Sequence, residues 1–442
     1  MSVINSVTEF LWGYICIFLV CICGFYFTVK GRFYQLRTLP RAVRTLIRSG
    51  GKKRGINGFD TVCTTLAASI GVGNIAGVAA ALALGGAGAV FWIWVCALIG
   101  MATSFAENAL GGRYSVVKNG VRTGGAMYYL RDGVGGVRGR ILSFAYAAGT
   151  VAASFGIGNM SQMSAVSENI GALFPCMAGT PGKAVTGIAV ALPAFLMLRG
   201  GLARVGRATR FLVPAMAFLY IFCCAVTIAA NGKMLGQAVI CIFRSALCPR
   251  AGIGAGAGAA LSAGFRRGVF TSEAGIGSSV NALSASDLSP CDKGRLGMTA
   301  VFLNTAVMCT VTALVILTSG ASDLSDGLLR ADCQPMTLVS GCFGAVLGNF
   351  GRVSVTVCVL LFAFTTIVGW ACYGLNSWTF FTELSPGAYL VIYFALLVFS
   401  SVCGARAAFA LSDLFNVFMM LPNIAGLLIL RKQALEIMRE KG

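Results

Sequence analysis

The sequence contains no histidine and no Cys-x-x-Cys pair, and only 11% of its 442 residues are charged. Without these residues or clustered acids, the usual zinc or haem ligand sets and the usual nucleophile–base pairs cannot be assembled. A phosphate-binding GxxxxGK[ST] motif is also absent, which argues against direct use of ATP. The sequence therefore predicts a protein that is not an enzyme and needs no cofactor.

Hydrophobic residues make up 57% of the chain and charged residues only 11%. A soluble globular protein has roughly 25% charged residues. A chain this apolar must use lipid as part of its solvent. The net charge of +19 does not indicate nucleic-acid binding, because the basic residues lie in gaps between apolar runs. Most of the 17 cysteines lie inside apolar runs, where cysteine behaves as a small hydrophobic residue.

Long apolar stretches predict an all-α polytopic membrane protein, since a spanning helix needs ~20 apolar residues. The first stretch lacks a basic region before it and a cleavage site after it, so we expect a retained helix rather than a signal peptide. About eleven spans are predicted, at 10–29, 61–84, 89–111, 141–165, 184–198, 211–230, 255–288, 295–319, 353–375, 386–403 and 408–430.

The distribution of lysine and arginine predicts the orientation, because basic loops favour the cytoplasmic side. Segment 30–60 carries nine basic residues, and segments 112–140 and 199–210 are also basic. This places the N-terminus outside and the C-terminus in the cytoplasm of a bacterial-type inner membrane. We interpret segment 30–60 as a topological anchor rather than a binding surface.

Two predicted spans are interrupted by a Gly-x-Gly sequence followed by a small polar residue. The second span contains Gly71-Val72-Gly73-Asn74, and the seventh contains Gly275-Ile276-Gly277-Ser278. Either sequence alone fits tight helix packing. Setting aside the first helix, however, the two open successive sets of five spans, which favours an inverted-repeat transporter with a site at the midplane.

The predicted organisation follows from this repeat. It comprises an extra N-terminal helix with a basic loop (1–58), a first five-helix repeat (59–230), an extracellular loop (231–254), a second five-helix repeat (255–430) and a cytoplasmic tail (431–442). Half-helix N-termini suit a carboxylate, and freed carbonyl groups suit Na⁺ or an ammonium group. A zwitterionic amino acid satisfies both ends.

Several ordered motifs carry a family resemblance. They are Gly71-Val72-Gly73-Asn74-Ile75-Ala76-Gly77-Val78, Gly85-Gly86-Ala87-Gly88-Ala89-Val90-Phe91-Trp92, Gly100-Met101-Ala102-Thr103-Ser104-Phe105-Ala106-Glu107, Arg267-Gly268-Val269-Phe270-Thr271-Ser272-Glu273-Ala274-Gly275, Leu361-Phe362-Ala363-Phe364-Thr365-Thr366 and Leu421-Pro422-Asn423-Ile424. In these motifs the chain resembles the alanine or glycine:cation symporter family, the sodium:alanine symporters. The resemblance implies a leucine-transporter-like fold of ten helices in a 5+5 inverted repeat, with one additional helix and two discontinuous helices.

The resemblance also implies two adjoining sites. Substrate-binding candidates are Ser69, Gly71, Val72, Gly73, Asn74, Gln162, Gly275, Gly277, Ser278 and Trp370. Candidate Na⁺ ligands are Ala67, Ile70, Phe362, Thr365 and Thr366. The alternative for the two threonines is a hydrogen bond back to their own helix. For Gln162 and Trp370 it is interhelical bonding and packing, respectively.

Three positions depart from the family pattern. Val72 stands where the family usually has Thr or Ser, Ser272 where it has Asn, and Ala87 where it has Pro. Backbone contacts to a substrate would survive these changes. The choice among alanine, glycine, larger amino acids such as glutamine, and D-forms therefore stays open.

Two acidic residues lie inside or near spans, where carboxylates are functional candidates by default. Glu107 is predicted to hold an inner gate closed, and Glu273 is predicted to form an ion pair with Arg266 or Arg267. If either acid titrates during transport, protons rather than Na⁺ are the coupling ion. The expected function is symport of a small neutral amino acid with Na⁺ by a monomer, and the alternative of another class is a non-transporting sensor.

Overall fold

The computed structural model describes residues 8–48, 58–118, 121–247, 256–320 and 335–440. This part of the chain is almost entirely helical, as predicted. It includes one small antiparallel hairpin, in which strand β1 (Val116–Lys118) pairs with strand β2 (Val121–Thr123).

The helices of the first half are α1 (Ile17–Lys30), α2 (Tyr34–Arg48), α3 (Gly58–Ser69), α4 (Ala76–Gly85), α5 (Gly88–Arg113), α6 (Gly136–Phe155), α7 (Ser161–Leu173), α8 (Thr180–Leu198) and α9 (Gly201–Ala230). Those of the second half are α10 (Gly232–Leu247), α11 (Gly256–Ser272), α12 (Val280–Leu283), α13 (Pro290–Val301), α14 (Cys309–Thr318), α15 (Pro335–Phe381), α16 (Pro386–Val402), α17 (Ala405–Ile429) and α18 (Arg431–Arg439). Short π-helical turns join α6 to α7 and α13 to α14.

Within the described residues, seven helical segments are long and apolar enough to cross a membrane, and two bent helix pairs raise this number to nine. The bent pairs are α1 with α2, at 81°, and the two parts of the second predicted span, at 62°. The seventh and tenth predicted spans correspond to shorter helices. Because interrupted and short helices fall below the length of a regular span, the structure supports a multi-pass membrane protein, and the number of eleven spans stays a prediction.

Two predicted loops contain helices. Helix α2 occupies part of the basic segment 30–60, and α10 occupies Gly232–Leu247 of the segment predicted as an extracellular loop. Sequence reasoning overlooked both because α2 is too polar and α10 too short to register as a span.

Helix α5 lies at the centre of the fold and packs against α1, α11 and α13. Glycines permit this close approach, as is usual between membrane helices. An added Cβ on Gly100 would lie 3.1 Å from the Ala274 side chain, and one on Gly268 would lie 2.7 Å from Cys96. This packing places the interrupted part of the seventh span directly against α5.

Candidate functional site

The second predicted span is interrupted where its glycines lie. Helix α3 ends at Ser69, residues 72–74 form a single 3₁₀ turn, and α4 begins at Ala76. Glycine is required at Gly71 by close approach: a Cβ there would lie 2.8 Å from both Gln162 Oε1 and Thr366 Oγ1. The predicted discontinuity is therefore present, and two side chains from other helices contact its backbone.

The seventh predicted span is interrupted between α11 and α12. Glu273, Gly275 and Gly277 have φ values of +54°, +89° and +76°. Positive φ is ordinary for glycine but strained for a glutamate, and such strain is concentrated at functional sites. The two discontinuities differ in backbone conformation although their Gly-x-Gly sequences are alike.

Polar side chains from other helices satisfy the freed backbone groups, as buried membrane backbone requires. The Val72 N–H donates to Gln162 Oε1 at 2.9 Å, and Gln162 Nε2 donates to the Ile157 carbonyl oxygen at 2.9 Å. At the second discontinuity, the Gly275 N–H donates to Glu107 Oε1 at 2.9 Å. Asn423 Nδ2 donates to the Gly275 carbonyl oxygen at 2.8 Å.

The predicted cation ligands come together in part. The Thr366 hydroxyl oxygen lies 3.0 Å from the carbonyl oxygen of Ala67 and 3.4 Å from that of Ile70. The neighbouring Thr365 hydroxyl donates instead to the Phe362 carbonyl oxygen at 3.0 Å, on its own helix. Thr366 thus bridges α15 to the first discontinuity. Thr365 shows the alternative geometry, a hydrogen bond back to its own helix.

A small cavity lies beside this cluster and touches both discontinuities. It is lined by Ala68, Ser69, Gly71, Gly73, Ile157, Gln162, Phe270, Thr271, Glu273 and Thr366. Ser69 Oγ is buried at this cavity and has no hydrogen-bond partner among the described residues. The lining of the cavity therefore includes an unsatisfied hydroxyl, glycine backbone, a hydrogen-bonded amide and carboxylate, and an aromatic ring.

The remaining predicted substrate contacts lie behind the cavity wall. The Asn74 side chain is fully buried and donates to the Asn304 carbonyl oxygen at 2.9 Å and to Asn304 Oδ1. Trp370 Nε1 donates to Glu273 Oε1 at 3.2 Å, and the Ser278 hydroxyl donates to Glu273 Oε2. These residues and Val72 contact cavity-lining groups rather than the space itself, whereas Gly275 and Gly277 lie beside Asn423.

Sequence reasoning missed Asn304. Its amide donates to the carbonyl oxygens of Ser69, at 3.0 Å, and of Thr271, so it joins the two interrupted spans. The available signal was a lone carboxamide within an otherwise apolar run of the eighth predicted span. Phe270 and Thr271, which line the cavity, were also missed.

The predicted ion pair of Glu273 is wrong. Arg266 contacts Asp413 Oδ2 at 2.6 Å and Arg267 contacts the same oxygen at 3.3 Å. Arg267 also lies over the rings of Phe270 and Phe409. Both arginines therefore contact Asp413 on α17, and Glu273 instead accepts hydrogen bonds from the neutral partners Ser278 and Trp370.

Glu107 lies within α5 and is fully buried. Its Oε1 accepts hydrogen bonds from Gly275 N and Asn423 Nδ2, whereas its Oε2 is buried and has no hydrogen-bond partner within the described part of the chain. Glu107 therefore stabilises the interrupted seventh span directly. Its role in an inner gate stays a prediction.

Comparisons with known proteins show the family and the fold of the chain. The profile described as "Sodium:alanine symporter family" matches residues 1–440. The sodium/alanine symporter AgcS of Methanococcus maripaludis is 36% identical over 97% of this chain and 94% of its own length. The probable sodium/glutamine symporter GlnT of Bacillus subtilis is 31% identical over 97% of this chain and 88% of its own length.

The solved structure of MhsT in complex with L-phenylalanine covers 86% of this chain and 90% of its own, with a TM-score of 0.62 and 15% identity. This likeness confirms the leucine-transporter-like fold. The family is one of sodium-coupled amino-acid symporters. The family resemblance predicted from the motifs is thereby confirmed, and the chain belongs to the sodium:alanine symporter family.

Proposed function

We propose that this protein imports alanine or glycine together with Na⁺ by alternating access. The observation that carries the proposal is the position of Thr366, whose hydroxyl lies beside two carbonyl oxygens at the end of α3 and also lines the cavity. Neutral oxygen ligands around unwound backbone suit a monovalent cation in a membrane. The cation and the substrate would therefore share one stretch of backbone.

In this proposal the Na⁺ ligands are the carbonyl oxygens of Ala67, Ile70 and Phe362 and the hydroxyl groups of Thr365 and Thr366. Reorientation of the Thr365 hydroxyl away from its own helix would complete the set, because its present acceptor is itself a proposed ligand. These five proposed ligands are all uncharged, so they would supply oxygen atoms to the cation without burying an ion pair.

The substrate would lie between the two discontinuities. Its carboxylate would face the backbone from Gly71 to Gly73 and the Ser69 hydroxyl, and its ammonium group would face the Glu273 carboxylate. Ile157 and Phe270 line the cavity, and in this proposal they would contact the side chain of the substrate and favour a hydrogen or a methyl group. Because glycine and alanine differ by one methyl group, contact with an apolar wall changes their relative binding free energy by only ~1–3 kcal/mol.

The proposed orientation has the N-terminus outside and the C-terminus in the cytoplasm of an inner membrane. The two halves would rock around the fixed site. The ion pairs of Arg266 and Arg267 with Asp413 join α11 to α17. In this proposal they would break and form again as α11 and α17 move apart and together during the cycle.

The direct test is uptake of radiolabelled L-alanine into proteoliposomes, with an inward Na⁺ gradient compared with K⁺ alone. Accumulation that requires the Na⁺ gradient supports the proposal. Competition by glycine, D-alanine and glutamine then gives the substrate range. Accumulation driven by a proton gradient without Na⁺ would overturn the ion assignment, and binding without flux under any gradient would favour a sensor.

A second substrate, glutamine, is favoured by one observation. GlnT, whose name is that of a probable sodium/glutamine symporter, matches this chain over nearly its whole length. Substitution of Phe270 with alanine would remove the aromatic wall of the cavity. If alanine is the natural substrate, F270A should increase the competition of glutamine against alanine uptake. If glutamine is the natural substrate, glutamine should already compete strongly in the wild-type protein.

A further inference from the structure

The basic segment after the first predicted span forms a helix that turns away from that span. Helix α2 leaves α1 at 81°, through a corner at Arg32 and Phe33, which both have φ of +54°. The Phe33 N–H donates to the Thr28 carbonyl oxygen at 2.8 Å and fixes the corner. Because α1 is a predicted span, α2 lies close to the plane of the membrane surface.

Helix α2 has three faces. Tyr34, Gln35, Thr38 and Ala42 are buried against the protein. Leu36 is 54% exposed and forms, with Phe33 at the corner, an apolar exposed surface. The third face carries Arg37, Arg41 and Arg44, which are all exposed and follow one another at intervals of four and three residues.

The exposed apolar surface of α2 continues the surface of α1. Phe18, Ile22, Phe25 and Val29 are exposed and are spaced by four, three and four residues, so they form one stripe on α1. This stripe ends at the corner where Phe33 and Leu36 continue it. An apolar stripe next to a basic stripe is the arrangement of a helix that lies at the boundary between acyl chains and headgroups.

The buried face of α2 joins it to the transport core. Gln35 Nε2 donates to the Thr28 hydroxyl at 3.0 Å and lies 3.4 Å from the Leu98 carbonyl oxygen on α5. Arg295 Nε on α13 donates to the Tyr34 hydroxyl at 3.2 Å. The Tyr34 ring also packs edge-on against Phe105 at 4.8 Å between centroids. Helix α13 continues into a π-helical turn that contains Asn304, and α5 carries Glu107, which accepts the hydrogen bond of the Gly275 N–H.

We propose that α2 binds anionic phospholipid headgroups at the cytoplasmic surface, through Arg37, Arg41 and Arg44. The predicted orientation places this helix in the cytoplasmic leaflet, where basic residues attract anionic lipid. Helix α2, within the predicted topological anchor, is then also a lipid-binding surface. Bound lipid stabilises α2 against α5 and α13, so anionic lipid raises the rate of transport.

Native mass spectrometry of the purified full-length protein tests lipid binding without reference to transport. The probes are phosphatidylglycerol, which is anionic, and phosphatidylcholine, which is not. The test variant is R37Q/R41Q/R44Q, which keeps Lys30, Arg32, Arg48, Lys52, Lys53 and Arg54 for topology. The matched control is R138Q/R140Q, because both arginines are exposed on another predicted cytoplasmic segment.

The wild-type protein and the R138Q/R140Q control should retain phosphatidylglycerol in preference to phosphatidylcholine. The triple variant should bind it at least about fivefold more weakly, which is the factor for one basic residue near a charged membrane surface. Equal binding by the triple variant, or equal loss in the control, overturns the proposal. The wild-type protein could instead show no lipid preference and form a dimer that the triple substitution dissociates. That result would assign this face of α2 to a second copy of the chain and would also overturn the proposal.

The effect on transport is a separate measurement that rests on the proposed function. The initial rate of alanine uptake should rise when phosphatidylglycerol is added to phosphatidylcholine liposomes, and the triple variant should lose this dependence while keeping the rate in phosphatidylcholine alone. An unchanged lipid dependence in the triple variant contradicts the coupling. Absence of uptake in every liposome counts against the proposed function, and the mass spectra still decide whether α2 binds anionic lipid.

Discussion

The two interrupted spans share a sequence pattern but lie in different chemical environments. Neutral groups contact the second span: the Gln162 amide, the Thr366 hydroxyl and the Asn304 amide. Carboxylates contact the seventh: Glu107 accepts from its Gly275 N–H, and Glu273 belongs to it. A neutral discontinuity suits a hard cation and a carboxylate, whereas an acidic one suits an ammonium group or a proton. The Gly-x-Gly pattern therefore predicts where the backbone unwinds, and long-range partners decide what binds there.

The strongest test of the neutral discontinuity is Gly71→Ala. The new Cβ would lie 2.8 Å from two oxygen atoms that line the cavity, and overpacking of this kind costs ~1–3 kcal/mol. We expect alanine uptake to fall up to about 100-fold with normal membrane insertion. Gly236→Ala is the control, because no atom of the described residues lies within 4 Å of its added Cβ. Wild-type uptake by Gly71→Ala would show that the second span does not keep this conformation during transport.

The acidic discontinuity is tested by substitutions of Glu107. Glu107→Ala removes the acceptor of the Gly275 N–H and one of the two acceptors of the Asn423 amide, and each such loss costs ~1–3 kcal/mol. The melting temperature of the purified protein should fall clearly. Glu107→Gln should retain most stability, because its carbonyl oxygen can replace Oε1 and its NH₂ takes the place of the unpartnered Oε2.

The same pair of variants separates a structural from a titrating role. If Glu107 acts only as a hydrogen-bond acceptor, Glu107→Gln keeps Na⁺-driven uptake and its pH profile. Loss of uptake in a stable Glu107→Gln protein would instead assign the carboxylate charge to the transport cycle.

The cation assignment is tested by comparing the two adjacent threonines. Thr366→Ala should raise the Na⁺ concentration for half-maximal uptake about tenfold, the equivalent of one hydrogen bond or ligand. Thr365→Ala should have a smaller effect, since its hydroxyl contacts its own helix. Thr366→Ser, which keeps the hydroxyl, is the control. An unchanged Na⁺ dependence in Thr366→Ala would mean that the cation binds elsewhere.

The smallest expected effect is at Val72. Val72→Thr adds the hydroxyl that the family pattern usually has at this fully buried position. Because Val72 contacts Gln162 through its backbone N–H, we expect the ratio of alanine to glycine uptake to change by less than about threefold. A larger change, measured by competition, would show that the Val72 side chain faces the substrate.

Sequence reasoning predicted the features that depend on local pattern. Glycines 71, 73, 275 and 277 marked both discontinuities, and the family resemblance placed Thr366 beside the carbonyl groups of Ala67 and Ile70. It did not predict that Asp413 binds Arg266 and Arg267, or that Asn304 joins the two interrupted spans. These contacts join residues far apart in the chain, and neither apolar periodicity nor local charge contains that information.

The short stretch from Ala67 to Gly71 has a thermodynamic consequence under the proposed assignment. Its carbonyl groups would hold the cation, while Ser69 and Gly71 would line the substrate space. Two ligands that order the same backbone are linked, and linkage is reciprocal. Whatever factor Na⁺ adds to the affinity for alanine, alanine must add to the affinity for Na⁺, so a calorimetric titration of either ligand at saturating levels of the other would return one coupling free energy.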